Sequence, residues 1–386
     1  MRVVFFAQHM PDPCGAFFHD IVFAKELQRR GHTVSFVLTY NRRGAEKQGV
    51  YRGIPWKHFS ISERELNGAN IWCSPHFPFL NIVRKLNERF EKPILITMHF
   101  GEDRDSISLD YPRLGKWAEI LWIISDHIKN HIMETTCLSS SIKLCESVRP
   151  LMIENEVKFQ ERGTLPPGDC ITLVNANLLK GLPIFCDLAL RFPEKKFLGV
   201  RPYYNRINVP ENVPNIEWID VQDDIRTVLQ RTRIMLVPSQ YESWGRVAFE
   251  AMYNGIPVVH TKPYDRKDSR ARKSGSSEGM QEWIQGTQQA CAYDKFDEWV
   301  AAIQALDDPE TYAEYSTKAY DRTYEMDIFN DFTKVEKKLV DYANMYPPPI
   351  KTTAAAAPLV TQPILQLRAP AGNAMPFRGG RFSLRR

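Results

Sequence analysis

Short apolar runs of strand length alternate along the chain with longer segments of helical spacing, and this alternation predicts an α/β protein built on parallel sheets. Val3-Val-Phe-Phe-Ala7 is the first run. A polar loop from Gln8 to Ala16 follows, then a helix over about residues 17–30, and Val34 to Leu38 reads as the next strand after Gly31. Ala69 to Ser74, Pro93 to Met98 and Leu121 to Ser125 continue the series, the last of them closing the first half. A second series comprises Cys170 to Val174, Lys196 to Val200, Asn215 to Ile219, Arg233 to Val237 and Ile256 to Val259. Near-continuous apolar runs of this kind belong to strands covered on both faces by crossover helices. Helical spacing alone then occupies residues 295–306, 309–325 and 332–346.

Two such series call for two domains. Gln160 to Asp169 gathers Gly163, Pro166, Pro167 and Gly168 without apolar periodicity and reads as the hinge between a first domain, residues 1–160, and a second, residues 161–330. A length of 386 residues, 43% of them hydrophobic and 25% charged, suits two packed domains and a tail. From Pro347 the composition turns to Pro, Ala, Gly and Arg, so residues 347–386 are expected to be disordered. Lys351, Arg368, Arg378, Arg381, Arg385 and Arg386 give that tail a formal +6, against +4 for the whole chain, leaving −2 elsewhere. The tail and the Lys- and Arg-rich loop from His260 to Ser277 suit salt-dependent contact with an anionic membrane or nucleic acid, or are simply solvated. Residues 81–90 read as a basic amphipathic helix of the kind that touches membranes.

No apolar run approaches the roughly 20 residues that span a bilayer, and Val3 follows Met1 and Arg2 without a signal-peptide pattern. Seven scattered cysteines with no C-x-x-C pair suit reduced thiols, and a cytoplasmic protein is expected. No metal-ligand spacing is visible.

Chemistry concentrates in Pro238 to Val259, reading PSQYESWGRVAFEAMYNGIPVV. Glu242 lies on the loop after an apolar strand, and Glu250 sits on the helix that follows Gly245. Open α/β sheets bind ligands at such strand ends. Backbone amides from Ser243 and Trp244 through Gly245 and Arg246 to Val247 would face a diphosphate, and Glu250 would accept hydrogen bonds from a ribose diol. Taken alone, the same residues also suit a solvated Glu242 and an exposed Arg246–Glu250 helix pair.

The whole string, Y-E-x-x-G-R-x-x-x-E-A followed by G-I-P-V-V, resembles the nucleotide-sugar-binding segment of family 4 glycosyltransferases. The resemblance implies the GT-B fold, in which two Rossmann-like domains face each other across a cleft and the final helix, about residues 330–346, packs back on the first domain. It also implies a retaining transferase that needs no metal or cofactor and takes a nucleoside-diphosphate sugar as co-substrate. The acceptor is then a glycan, a lipid or a hydroxylated DNA base. Leu95-Ile-Thr-Met-His99-Phe-Gly-Glu-Asp103 resembles the family's T-x-H-G-x-D segment, so His99 is expected at a sugar hydroxyl and Asp103 at the acceptor or as a helix cap. His76, after another strand, is a second acceptor-side candidate, and Gly15 allows close backbone approach to the donor.

Lys180-Gly181 matches the family's diphosphate-binding pair, but Asn175 stands where relatives carry an arginine. Losing one guanidinium forfeits roughly 1.5–3 kcal/mol of charge-assisted contact. Arg201 and Arg246 are the candidates to replace it. The departure at Asn175, with the altered segment after Val259, also suits a non-catalytic GT-B protein that binds a nucleotide or sugar without transferring it.

Overall fold

The computed structural model describes residues 1–11, 15–40, 46–75, 79–99, 117–135, 142–202, 209–263, 278–284 and 286–348. Eight strands form the first sheet: β1 (Arg2–Ala7), β2 (Thr33–Leu38), β3 (Gln48–Tyr51), β4 (Ile54–His58), β5 (Ile71–Pro75), β6 (Ile94–Met98), β7 (Glu119–Ile123) and β8 (Ile142–Ser147). Their order is β3-β4-β2-β1-β5-β6-β7-β8, and only the β3–β4 pair is antiparallel. Six parallel strands form the second sheet: β9 (Cys170–Leu173), β10 (Lys196–Val200), β11 (Ile216–Ile219), β12 (Thr232–Val237), β13 (Val258–Thr261) and β14 (Gln289–Cys291), in the order β11-β10-β9-β12-β13-β14. Each sheet changes winding direction once, between β1 and β5 and between β9 and β12. Crevices at those points are where doubly wound sheets take ligands.

The apolar runs are strands for the reason the pattern implies. All but the first residue of β1 is buried, and Phe5 stacks on Phe36 of β2 at 5.3 Å while meeting Phe23 edge-on at 5.5 Å. Strand β8 corrects the expectation that Leu121 to Ser125 closes the first sheet. Its residues Ile142–Ser147 are mostly half-buried, as befits an edge, so they lack the continuous apolar run that marks an interior strand. The β3–β4 hairpin escapes the pattern for the same reason.

An apolar cluster continues from Trp72, Met98 and Leu121 of the first sheet to Trp244, Phe249 and Met280 on the second sheet's side. The last helix, Asp331–Met345, contributes Phe332, Val335, Leu339 and Tyr342 to the cluster that contains Val3, Phe5 and Trp122. Its Glu336 accepts a hydrogen bond from Arg30 at 2.8 Å and lies 2.7 Å from His32 Nε2.

The basic helix candidate is the helix Leu80–Phe90, and part of it is built into the core. Leu80, Val83, Asn87 and Phe90 are buried, and Arg84 donates two hydrogen bonds to Glu119 at 2.8 and 2.7 Å, both side chains being 1% exposed. Arg89 pairs with Glu63. Arg84 is therefore engaged inside the protein, while the Arg89–Glu63 pair is partly exposed. Among the described residues no helix is long and apolar enough to cross one.

A buried bidentate pair is costly to break and cheap to replace. Arg84→Met should destabilise the protein by about 3–5 kcal/mol in denaturant unfolding, whereas Arg84→Met with Glu119→Leu should recover most of that loss; equal losses in both variants would contradict this.

Candidate functional site

At the turning point of the second sheet, the loops after β9 and β12 are pressed together. Gly181 has φ +79°, and a Cβ on it would collide with the carbonyl oxygen of Pro238. Gln240 N also donates to Leu179 O at 2.8 Å. This contact places Lys180 Nζ against Glu242 Oε1, which Ser239 Oγ also approaches at 2.7 Å. Glu242 is buried, so the solvated-loop reading of it fails. Asn175 takes φ +61°, a left-handed conformation that asparagine tolerates better than most residues, and accepts from Asn177 Nδ2 at 3.2 Å.

Gly245, at φ +77°, precedes the helix Arg246–Met252. Arg246 Nε donates to Glu250 Oε1 at 2.7 Å, and Glu250 is buried, so the pair suggested by spacing exists but is not an exposed one. Arg246 Nη1 is buried with no partner among the described residues. Arg201, in contrast, is engaged by Trp218 O at 3.1 Å and Glu211 at 2.8 Å on the β11 side of β10. Trp244 is a core residue in its side chain: the indole is buried and stacks on Trp283 at 5.1 Å, and its carbonyl accepts from Trp283 Nε1 at 2.7 Å. Only backbone from this residue is left to meet a ligand. Ser243 packs its carbonyl against Gly279, where a Cβ would collide with it, and Val247 is partly buried against the core.

On the first sheet, Gly15 begins the helix Gly15–Arg29, with open space where a side chain would lie. His99 follows β6 and is buried, with Nε2 unpartnered among the described residues. His76 and Asp103 lie outside the described residues, as does most of the loop from His260 to Ser277 and all of the tail beyond residue 348. His260 itself extends β13 and is buried.

Two residues absent from the expectations join this site. His19 and Asp20, both buried, lie on the helix after β1, with Nδ1 and Oδ1 3.1 Å apart. The His19 ring meets the His99 ring edge-on, centroids 4.9 Å apart. Burial, aided by the charge on Arg246, pushes His19 down to about 3. Burial likewise holds His99 at about 3, with His19 and Arg246 lowering it further and Asp20 opposing them. Burial raises Asp20 to about 7, against an opposing effect from His99. Near neutral pH the His19–Asp20 contact is therefore a hydrogen bond rather than an ion pair. Among the described residues these three bring donor atoms within 4.8 Å of one another, a spacing that also suits a metal ion. Arg246 opposes a cation there, since its charge already acts on both imidazoles.

A second junction holds the two halves together. Glu282, on the helix Glu278–Ile284, accepts hydrogen bonds from the amides of Asp126 (3.1 Å) and His127 at the start of the Asp126–Thr135 helix. His127 Nε2 lies 2.9 Å from Glu278.

Residues 205–269 match the family described as glycosyl transferases group 1, and that span holds the string from Glu242 to Val259. No curated protein matches the sequence. Anabaena Alr3699/HepE in complex with UDP and glucose has a similar structure, with TM-score 0.68 at 14% identity over 88% of this chain and 99% of that one. Sucrose-phosphate synthase from Thermosynechococcus elongatus gives TM-score 0.66 at 12% identity over 88% and 99%. The E. coli trehalose-6-phosphate protein bound with UDP-2-fluoro glucose gives 0.59 at 12% over 90% and 100%. The fold is GT-B, as the resemblance implied, and residues 205–269 within it are similar to the group 1 glycosyl transferases.

The histidines and Asp20 act oppositely on stability. Lowered imidazoles withdraw stability as pH falls from 6.5 toward 3, whereas the raised carboxyl withdraws it as pH rises from its ordinary value near 4 toward 7. Asp20→Asn removes only the second effect. Its melting temperature should gain on the wild type steadily from pH 4 to 7 and keep a constant lead above about 7.5; a pH-independent offset would contradict the assignment.

Proposed function

We propose that this chain, with a segment similar to the group 1 glycosyl transferases in a GT-B fold, transfers a sugar from a nucleoside-diphosphate sugar to an acceptor hydroxyl with retention of anomeric configuration. The observation that carries this reading is the gathering of Lys180, Glu242, Arg246 and Glu250 at the turning point of the second sheet, with Arg246 also acting on His99 of the first.

In this reading residues 1–160 with the last helix hold the acceptor, and residues 161–330 hold the donor. Lys180 and Arg246 neutralise the diphosphate, and Arg246 serves where relatives use the arginine that Asn175 replaces. Its unpartnered Nη1 favours it over Arg201, whose guanidinium already has two partners. Glu250 accepts from the ribose diol once the diphosphate draws Arg246 from it, and Glu242 meets the sugar end of the donor. His99 bonds a sugar hydroxyl. The donor's phosphate takes the proton from the acceptor hydroxyl, so the protein contributes positioning and stabilisation of the departing diphosphate. No metal or cofactor enters this scheme. UDP in the Anabaena protein and UDP-2-fluoro glucose in the E. coli one make UDP-sugars the first donors to try.

The deciding assay incubates the protein with UDP-, GDP- and ADP-sugars and measures nucleoside diphosphate release, then screens glycans, lipids and DNA with hydroxylated bases as acceptors. Thermal protection by a donor without release would support the non-catalytic alternative. With the productive donor, Glu250→Ala should reduce turnover at least 100-fold with an unchanged fold by circular dichroism. Arg246→Ala should lower it roughly 10- to 150-fold, the equivalent of one charge-assisted contact, and Arg201→Ala less than about threefold. Equal effects of the two arginine variants would remove Arg246 from its assigned place.

A further inference from the structure

The helix Gly15–Arg29 packs its apolar face on the first sheet, with Phe17, Ile21, Val22, Phe23 and Ala24 all buried. His19 and Asp20 interrupt that face, each 3% exposed, where an aliphatic pair would pack with less desolvation. Burying a carboxyl and an imidazole side by side weakens a core unless they do something together. Both belong to one cluster with His99: His19 Nδ1 lies 3.1 Å from Asp20 Oδ1, its ring lies edge-on to the His99 ring, and nitrogen and oxygen atoms of all three fall within 4.8 Å. His99 Nε2, in a residue 8% exposed, is the member with no partner among the described residues.

We propose that Asp20, with His19, is a positioning residue for His99: the hydrogen-bonded His19–Asp20 pair packs against the His99 ring in one buried polar cluster, which fixes which His99 nitrogen carries its proton and so presents Nε2 to a sugar hydroxyl. This rests on the transferase reading above. A neutral imidazole has one donor and one acceptor nitrogen, and the groups around it select the tautomer. A carboxyl that keeps its proton into the neutral range is a switchable neighbour: protonated, it donates; ionised, it only accepts. Among the described residues, four charged or titratable groups besides Asp20 belong to this cluster, act on it or respond to it. His19 adjoins Asp20 on the same helix, His99 comes from the end of β6, the thiol of Cys73 on β5 is pushed up by burial and by Asp20, and Arg246 acts on both imidazoles from the second sheet's side. Loss of the Asp20 proton therefore changes the acceptor available to His19 and the field at His99 while burial, aided by Arg246, keeps both rings neutral.

Among the described residues the cluster combines two imidazoles with one acid, and the pair accounts for that combination. Two neutral rings and a neutral carboxyl can be buried without a compensating charge, and they leave a donor or an acceptor for a neutral polyol. A sugar hydroxyl, which donates and accepts, is the complementary ligand.

Two measurements test the proposal. Ring-nitrogen NMR of histidine-labelled protein, with no donor added and His99 assigned through His99→Gln, reads the tautomer directly. In the wild type one His99 nitrogen should carry the proton across pH 5–6.5, and the ring-nitrogen shifts should change as Asp20 ionises around pH 7. In Asp20→Asn that change should vanish. His19→Asn, which keeps a donor near Asp20, should retain the inflection but shift the tautomer balance. In turnover assays Asp20→Asn should lower kcat at least tenfold, leave the donor KM within threefold, and lose the kcat inflection near pH 7. Unchanged His99 nitrogens in Asp20→Asn, or wild-type kcat with its inflection intact, would overturn the proposal. Since the NMR arm needs no donor, absence of transfer with every sugar nucleotide would count against the transferase reading while the ring nitrogens still decide the role of Asp20.

Discussion

A missing side chain at Gly181 permits the contact on which the donor-side architecture depends. The backbone there turns left-handed and lies against the Pro238 carbonyl, so the loops leaving β9 and β12 touch instead of splaying apart. Strands β9 and β12 are neighbours in the sheet but distant in sequence, and their loops would otherwise diverge into solvent. With the loops in contact, a half-buried lysine from one and a buried glutamate from the other share an ion pair, and the Ser239 hydroxyl holds the same carboxylate oxygen. Removing one partner of such a pair leaves an uncompensated charge in a poorly solvated place, so the pair fixes the spacing of the two loops as much as it stabilises them.

Charge is distributed across the site so that each buried carboxylate on the donor side already has a cation: Glu242 has Lys180, and Glu250 has Arg246. A dianionic ligand entering here competes for cations already held close to their working positions, which lowers the side-chain ordering that binding demands. The opposite wall follows another rule. Its titratable groups are held neutral by burial, with Arg246 opposing any positive charge on them.

Much of the fold was legible because interior parallel strands are apolar on both faces: Val3 to Ala7, Leu95 to Met98 and Ile234 to Val237 stand out in any reading of the sequence. Edge strands do not. Ile142–Ser147 alternates half-buried apolar and polar residues, and its identity comes from pairing with Glu119–Ile123, which no local pattern encodes. The segment from Glu242 to Glu250 was readable because it is one string of sequence, whereas Lys180 reaches Glu242 from a loop 62 residues away and the His19, Asp20 and His99 cluster is assembled by a crossover between strands. A local signal for it did exist, since His19-Asp20 interrupts an otherwise apolar stretch, Ala16-Phe-Phe and Ile21-Val-Phe-Ala24. Trp244 shows the converse limit: its indole completes the core with Trp283, a partner 39 residues away that motif spacing does not reveal.

The return of the Asp331–Met345 helix to the first sheet has a consequence for how the chain is made. Val3 and Phe5 lie on the first strand, yet the cluster that buries them is completed by Phe332, Val335, Leu339 and Tyr342. During synthesis the amino-terminal half therefore waits, with part of its hydrophobic surface uncovered, until nearly the whole folded region has left the ribosome. Folding of the first half cannot be finished domain by domain in the usual order. The second half forms a sheet in between, and the nascent first half is most exposed to chaperones or to unwanted association through that interval.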